Sequence, residues 1–296
     1  MSRRPPPGAG LNYRHDFHAG NFADLLKHAT WLALLDAAVR DPAPLTVLET
    51  HAGAGLYDLG SAAARRSDEA QAGIARLLAA PDPPAALHRL ARAVRAARGR
   101  FGARAYPGSP MLAAAMLRAG DRYVGWELRT DDRDRLGAAL ARHAPSGARL
   151  EARGGDGYAA APRLFAPRRL VMIDPPFEAG DEAQRLANCA AELMHAPGTS
   201  LAIWAPLKDL DSFDRLLRGV QDAGAADVAA VELRLRGLDD PLRLNGCAMI
   251  LLDTPPEGLA AATQSAGWLA AALGDEGAMV EVRHRQAGPS ATRARR

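Results

Sequence analysis

Short β-rich runs recur along the chain at residues 45–50, 122–127, 148–153, 170–173, 200–204, 228–235 and 247–252, and Ala/Leu/Arg-rich helical stretches separate most of them. Strands that alternate with helices must be covered on both faces, so this pattern implies an α/β fold with a mostly parallel sheet. The last two runs lie close together, joined by a turn-rich segment containing Asn245-Gly246. A hairpin there makes the final strand antiparallel to its neighbour, giving a seven-stranded sheet. With 296 residues, 48% apolar and 24% charged, the chain can bury a sizeable core. Those proportions exclude a disordered, collagen-like or disulfide-stapled chain.

The two ends stand outside the alternation. Residues 1–12 and 288–296 are rich in Arg, Pro, Gly and Ser and read as a flexible basic tip and a basic tail, leaving 13–287 as the folded body. The basic start lacks the apolar run of a signal peptide, and no stretch approaches the roughly 18 apolar residues of a membrane span. Cys189 and Cys247 match no paired-thiol or metal spacing, which fits a reduced, cytoplasmic setting. No large apolar stripe asks for a second copy, so a monomer is expected. Residues 57–105 hold no strand-like run, and Pro81-Asp82-Pro83-Pro84 splits them into two helical stretches, reading as an insertion. The segment after Pro255 contains a helical stretch near Trp268 and a strand-like 280–283 without an assigned place.

Glu49-Thr50-His51-Ala52-Gly53-Ala54-Gly55 follows the first strand. Gly53 and Gly55 allow the sharp turn and close backbone approach that nucleotide-type cofactors require, although a tight strand-to-helix turn uses the same residues. Such folds place an acid about 20 residues beyond the glycines to bind ribose hydroxyls. Glu127 ends the second strand too far from Gly55, but it lies 18 residues after Ser109. Ser109 can cap a helix with Pro110 at its first position, so the spacing is restored once the insertion is excised. The cofactor would then face the N-terminus of that helix.

The sharpest signal is Val171-Met172-Ile173-Asp174-Pro175-Pro176-Phe177. An apolar strand ends in an acid, two prolines fix the backbone, and an aromatic follows; this resembles the D-P-P-[YF] motif of amino-directed methyltransferases. An exocyclic base amine is a poor nucleophile because its lone pair is delocalised into the ring. The Asp174 carboxylate and the Pro175 carbonyl can each accept from that NH2, and the carboxylate stabilises the positive charge that develops on nitrogen. Phe177 can stack on an extruded base. The alternative is a rigid Asp-Pro-Pro turn without chemistry. His15, His18 and His28 lack the Cys or carboxylate spacing of a metal site, so no metal is expected.

The segment Tyr13-Arg14-His15-Asp16-Phe17-His18-Ala19-Gly20-Asn21-Phe22-Ala23-Asp24-Leu25-Leu26-Lys27-His28 resembles the opening of the RlmJ-type 23S ribosomal RNA adenine-N6 methyltransferases. So do the T-H-A-G-A-G loop, the helical insertion after it, Tyr106-Pro107-Gly108-Ser109-Pro110 and D-P-P-F, in that order. The resemblance implies a Rossmann-like class I methyltransferase fold, with S-adenosylmethionine bound by His28, His51, Ser109, Glu127, Asp156 and Gly157. It makes Asp174 the catalytic residue and Tyr13 a contact to the RNA; Lys27 matches the same motif and is grouped with Tyr13. Two departures are visible. Glu49 stands where the family has Asp, which keeps the charge, and Phe177 replaces the commoner Tyr, which keeps the stacking face but loses a hydroxyl.

Between Pro83 and Gly120 there is no acidic residue but seven arginines, and Arg89, Arg92, Arg95 and Arg98 repeat every three residues. This is either a solvated helix face or the electrostatic footprint of a nucleic acid. Beside a base-modifying motif the second reading is preferred, with the insertion forming part of the RNA-binding face and 23S ribosomal RNA, free or partly assembled, as partner. Guanine N2 in ribosomal RNA and adenine N6 in DNA remain alternative targets of the same motif. A non-catalytic RNA-binding assembly factor has no need of Asp174, and a nicotinamide oxidoreductase gives no reason for D-P-P-F.

Overall fold

The computed structural model describes residues 15–67, 69–143, 147–238 and 244–286; Tyr13, the tip at 1–12 and the tail at 288–296 lie outside the described residues. Among those described, the strands are β1 (Thr46–Glu49), β2 (Leu56–Asp58), β3 (Ala105–Pro107), β4 (Arg122–Glu127), β5 (Arg149–Gly154), β6 (Arg169–Ile173), β7 (Thr199–Pro206), β8 (Asp227–Arg234), β9 (Gly246–Leu252) and β10 (Met279–Gln286). Eight of them form one sheet in the order β10-β8-β9-β7-β6-β1-β4-β5. The five from β5 to β7 in that order run parallel, and β9 is antiparallel to both β7 and β8.

The sheet therefore has eight strands rather than the expected seven. β10 pairs antiparallel with β8 over its whole length, from Met279 opposite Arg234 to Gln286 opposite Asp227. Its sequence disguises this because it is an edge strand, largely exposed and carrying Glu281, Arg283 and Arg285. Charges of this kind protect an edge from pairing with other chains, and they also erase the apolar signature of a strand.

Apolar residues alternate between the two faces of the sheet. Val47, Tyr123, Met172 and Met249 point into one layer, shared with helices Phe22–Arg40, Ser109–Met116, Thr130–His143 and Pro256–Leu273. Leu48, Val124, Val171 and Ile250 point into the other, shared with helices Glu182–Met194 and Leu210–Gln221. The helix Phe22–Arg40 is buried on every side over much of its length, with Leu25, Leu26, Trp31, Leu34 and Leu35 fully enclosed. It starts where the Asn21 side chain accepts from the Asp24 N–H at 2.9 Å. It stops at Asp41, whose extended backbone is what the following Pro42 demands.

Between β2 and β3, which pair as a short antiparallel ribbon, the chain leaves the sheet. It forms the helices Ala62–Ser67, Arg76–Ala79 and Ala85–Phe101, with a π-helical turn at Gln71–Ala75. That turn presses on the start of the buried helix: a Cβ on Gly73 would lie 2.1 Å from the Gly20 carbonyl oxygen. The Ile74 N–H donates to the same oxygen at 2.8 Å, and Glu69 accepts from Asn21 Nδ2 at 2.8 Å. The helix Ala85–Phe101 buries Leu87, Leu90, Ala91, Val94 and Ala97 and exposes Arg89, Arg92, Arg95 and Arg100.

Candidate active site

β1 sits between β4 and β6, and the chain must cross the sheet from β5 at one edge to reach β6. Such a reversal opens a crevice beyond the carboxyl ends of the two diverging strands. Both sequence motifs emerge there. Glu49 ends β1 opposite Met172 of β6, and Asp174 follows β6 directly. They frame a cavity of about 1010 Å³, counting its open mouth. Lys27, His28, His51, Gly53, Ser109, Glu127, Asp174 and Pro175 all line it. Gly55, Asp156, Gly157 and Phe177 do not line it, and neither do Arg89, Arg92 and Arg95.

The glycine loop is tied to the acid that follows β4. Gly53 has φ +60°, a left-handed conformation that an L side chain resists, and its N–H donates to Glu127 Oε2 at 3.0 Å. The second Glu127 oxygen accepts from the Arg129 N–H at 2.8 Å. Burial raises the Glu127 carboxyl, and these two N–H groups oppose the rise. Gly55 supports the loop from behind, its carbonyl accepting from the Gly108 N–H at 2.8 Å.

Ser109 does not cap its helix. Gly108 occupies the cap position, and the Ser109 hydroxyl instead donates to Glu49 Oε2 at 2.7 Å. Both residues are buried, so the Glu49 carboxyl oxygen, cut off from water, needs the Ser109 hydroxyl as its partner. Glu49 also departs from expectation. Burial pushes its carboxyl up to about 8, against the opposing effects of Ser109 and Lys27, so it is mainly neutral at pH 7 and does not keep the charge. His28 and His51 are pulled down by burial to about 3 and about 4 and are neutral as well.

Asp156 and Gly157 serve the wall of the site. Asp156 caps the short helix Gly157–Ala160, accepting from the Tyr158 N–H at 3.0 Å, and its other oxygen accepts from Arg185 at 2.8 Å. Gly157 passes so close to β1 that a Cβ would lie 2.0 Å from the Thr50 carbonyl oxygen. Tyr158, held in this way, meets the His51 ring edge-on at 4.7 Å. Phe177 turns its ring toward Trp204, 6.2 Å away in a T-shaped contact. Its backbone is left-handed at φ +49°, rare for an aromatic residue, and the Lys208 ammonium donates to its carbonyl at 3.0 Å.

The N-terminal motif supplies the opposite wall. Lys27, grouped with Tyr13 toward the RNA, is only 5% exposed and faces the cavity rather than the outer surface. Its Nζ lies 2.6 Å from Asp174 Oδ2 and 2.9 Å from Asp24 Oδ1. His28 Nδ1 is hydrogen-bonded to the Tyr106 hydroxyl at 2.8 Å. Asp24, Glu182 and Arg185 are polar residues of this region that motif reading passes over. Asp24 had a signal, since a buried helix carries charges at i, i+3 and i+4 only when they answer one another. Glu182 and Arg185 follow D-P-P-F on an ordinary amphipathic helix and carried none. Among the described residues no cluster of three or more His, Cys, Asp or Glu could hold a metal ion, and no helix is long and apolar enough to cross a membrane.

The arginine face is partly engaged within the protein. Arg89 pairs with Asp36 at 2.7 Å and Arg95 donates to the Leu78 carbonyl at 2.9 Å.

Comparison with known proteins places this site in context. The family model described as "Ribosomal RNA large subunit methyltransferase D, RlmJ" matches residues 42–284. The protein named ribosomal RNA large subunit methyltransferase J from Escherichia coli is 32% identical over 249 residues, covering 83% of this chain and 88% of its own length. The protein of the same name from Haemophilus influenzae is 30% identical over 251 residues, with the same coverage of each chain. The crystal structure of protein LPL1258 from Legionella pneumophila superposes with a TM-score of 0.79 at 24% identity, covering 91% of this chain and 98% of that one.

Proposed function

The chain belongs to the RlmJ family of ribosomal RNA large subunit methyltransferases, and on that premise we propose that it methylates the N6 amine of a single adenine in 23S ribosomal RNA, with S-adenosylmethionine as donor. The observation that carries this reading is the meeting of Asp174 and Pro175 with the glycine loop and Glu127 on the walls of one cavity. The residues fit the cofactor. Gly53 offers backbone at close approach, and Glu127 presents a carboxylate where ribose hydroxyls are expected. Glu182 adds a second carboxyl group to the lining of the same cavity. His28, His51 and Ser109 line the same space, while Asp156 and Gly157 shape its wall.

When bound, S-adenosylmethionine supplies an electrophilic methyl group on a sulfonium. The chain's own residues prepare the nucleophile. Asp174 accepts a hydrogen bond from the amine, draws its nitrogen toward tetrahedral geometry and holds the proton released as the N–CH3 bond forms. The Pro175 carbonyl accepts the second N–H, and the rigid Pro175-Pro176 backbone fixes the angle between the two acceptors. The half-buried Phe177 packs against Trp204 outside the cavity lining, so its ring must turn to stack on a base extruded from the RNA. The exposed side of the helix Ala85–Phe101, with Arg92 at its centre, is the surface we assign to the RNA, and Tyr13 enters the same reading.

The test is transfer of labelled methyl from S-adenosylmethionine to RNA from cells lacking this gene, comparing wild type with Asp174→Ala. The expected product is N6-methyladenosine in 23S RNA, with at least 100-fold loss of rate in the variant. N2-methylguanosine would move the target to guanine. Transfer to DNA alone would remove RNA from the reading, and an active Asp174→Ala would remove the mechanism.

A further inference from the structure

Asp24, Lys27 and His28 stand at i, i+3 and i+4 of the helix Phe22–Arg40, on one face of an element otherwise enclosed by apolar side chains. Asp24 is only 2% exposed. Its Oδ2 accepts from the Gly20 N–H at 2.9 Å and lies 3.0 Å from His15 Nε2. Its Oδ1 lies 2.9 Å from Lys27 Nζ and 3.9 Å from His28 Nε2. Lys27 continues the chain of contacts to Asp174 at 2.6 Å. Burial alone raises the Asp24 carboxyl, but the charges of His15 and Lys27 outweigh it and hold the group well below the usual carboxylate range.

A buried ammonium with one carboxylate for company closes on it, because nothing else compensates its lost hydration. If Asp174 were that carboxylate, its charge and lone pairs would be taken up by Lys27 and the substrate amine would have to compete for them. A second carboxylate on the far side of the ammonium divides that attraction. Asp24 is placed for this, since Lys27 Nζ is within 3 Å of both acids while Asp24 itself is absent from the cavity wall. Besides Lys27, Asp24 meets His15 through Oδ2 at 3.0 Å, while His28 and Glu49 are neutral at pH 7 and supply no competing charge.

We propose that Asp24 is a positioning residue that holds the Lys27 ammonium from behind, so that Asp174 stays oriented to the cavity as an acceptor for the substrate amine. This rests on Asp174 being the residue that receives the amine.

The test is a double-mutant cycle of Asp24→Asn and Lys27→Met, with kcat, KM for RNA and the Kd for S-adenosylmethionine measured on each full-length variant. Asp24→Asn lowers kcat about 30- to 100-fold, the usual cost of removing one partner from a charged hydrogen bond, while KM and Kd stay within about threefold. The double variant is no slower than Lys27→Met, because Asp24 reaches Asp174 only through Lys27. That comparison also serves if Asp24→Asn alone fails to fold, since the double variant removes both charges together. Wild-type kcat in Asp24→Asn or in Lys27→Met overturns the proposal, as does a double variant slower by the product of the single effects. A wild type that methylates no RNA, or an active Asp174→Ala in the same assay, overturns instead the functional reading beneath it.

Discussion

At Glu49 one buried position changes what a residue type means. A glutamate at the end of the first strand reads as a charge, yet enclosure beside Ser109 moves its carboxyl from 4.5 up to about 8. Between those values the folded protein keeps a proton that the unfolded chain has released. Stability therefore falls by about 1.4 kcal/mol for each unit of rising pH, until the folded group ionises too. Glu49→Gln abolishes that slope. Its stability relative to wild type, from urea unfolding, is expected to rise by about 3 kcal/mol between pH 5 and pH 8. A difference that stays level across that range would mean that Glu49 is ionised in the folded protein. Asp174 and Pro175 could be recognised from sequence because the motif that names them is contiguous. The partner of Asp174 could not, because Lys27 lies 147 residues away along the chain.

Elements are joined here by backbones that touch. The turn into the helix Gly157–Ala160 runs against the end of β1, and a Cβ on Gly157 would lie 2.0 Å from Thr50 O and 2.6 Å from Thr50 Cα. These are main-chain atoms that cannot swing aside, so Gly157→Ala must displace either the helix or the strand carrying the glycine loop. A loss of about 2–4 kcal/mol in stability and at least tenfold weaker cofactor binding are expected, from thermal unfolding and calorimetry. Gly99→Ala is the matched control. It sits on the exposed side of the helix Ala85–Phe101 with nothing within 4 Å of the added carbon, so it should stabilise by about 0.5–1 kcal/mol. Sequence placed the helix after Pro107-Gly108 to within a residue, but misassigned Ser109. Capping is a local habit of serine, whereas the competing carboxyl of Glu49 arrives from 60 residues away.

Across the whole molecule, the arginines are an excess of positive charge only where the fold leaves them unanswered. Arg89 is paired with Asp36, while Arg92 and Arg95 are exposed on the insertion helix. Reversing Arg92 and Arg95 to Glu should weaken RNA binding about tenfold or more at moderate salt and leave the Kd for S-adenosylmethionine unchanged. Equal RNA affinity in a filter-binding titration would take this face out of the RNA interface. The alternation of strands and helices, the parallel sense of the central sheet and the order of the glycine loop, Glu127 and D-P-P-F all follow from the amino-acid sequence, because periodicity and contiguous motifs are properties of neighbours along the chain. Three matters waited on the tertiary structure: the edge strand β10, the neutrality of Glu49, and the run of contacts from Asp24 through Lys27 to Asp174. Each depends on which distant surfaces meet and exclude water, and that is decided only when the chain has closed on itself.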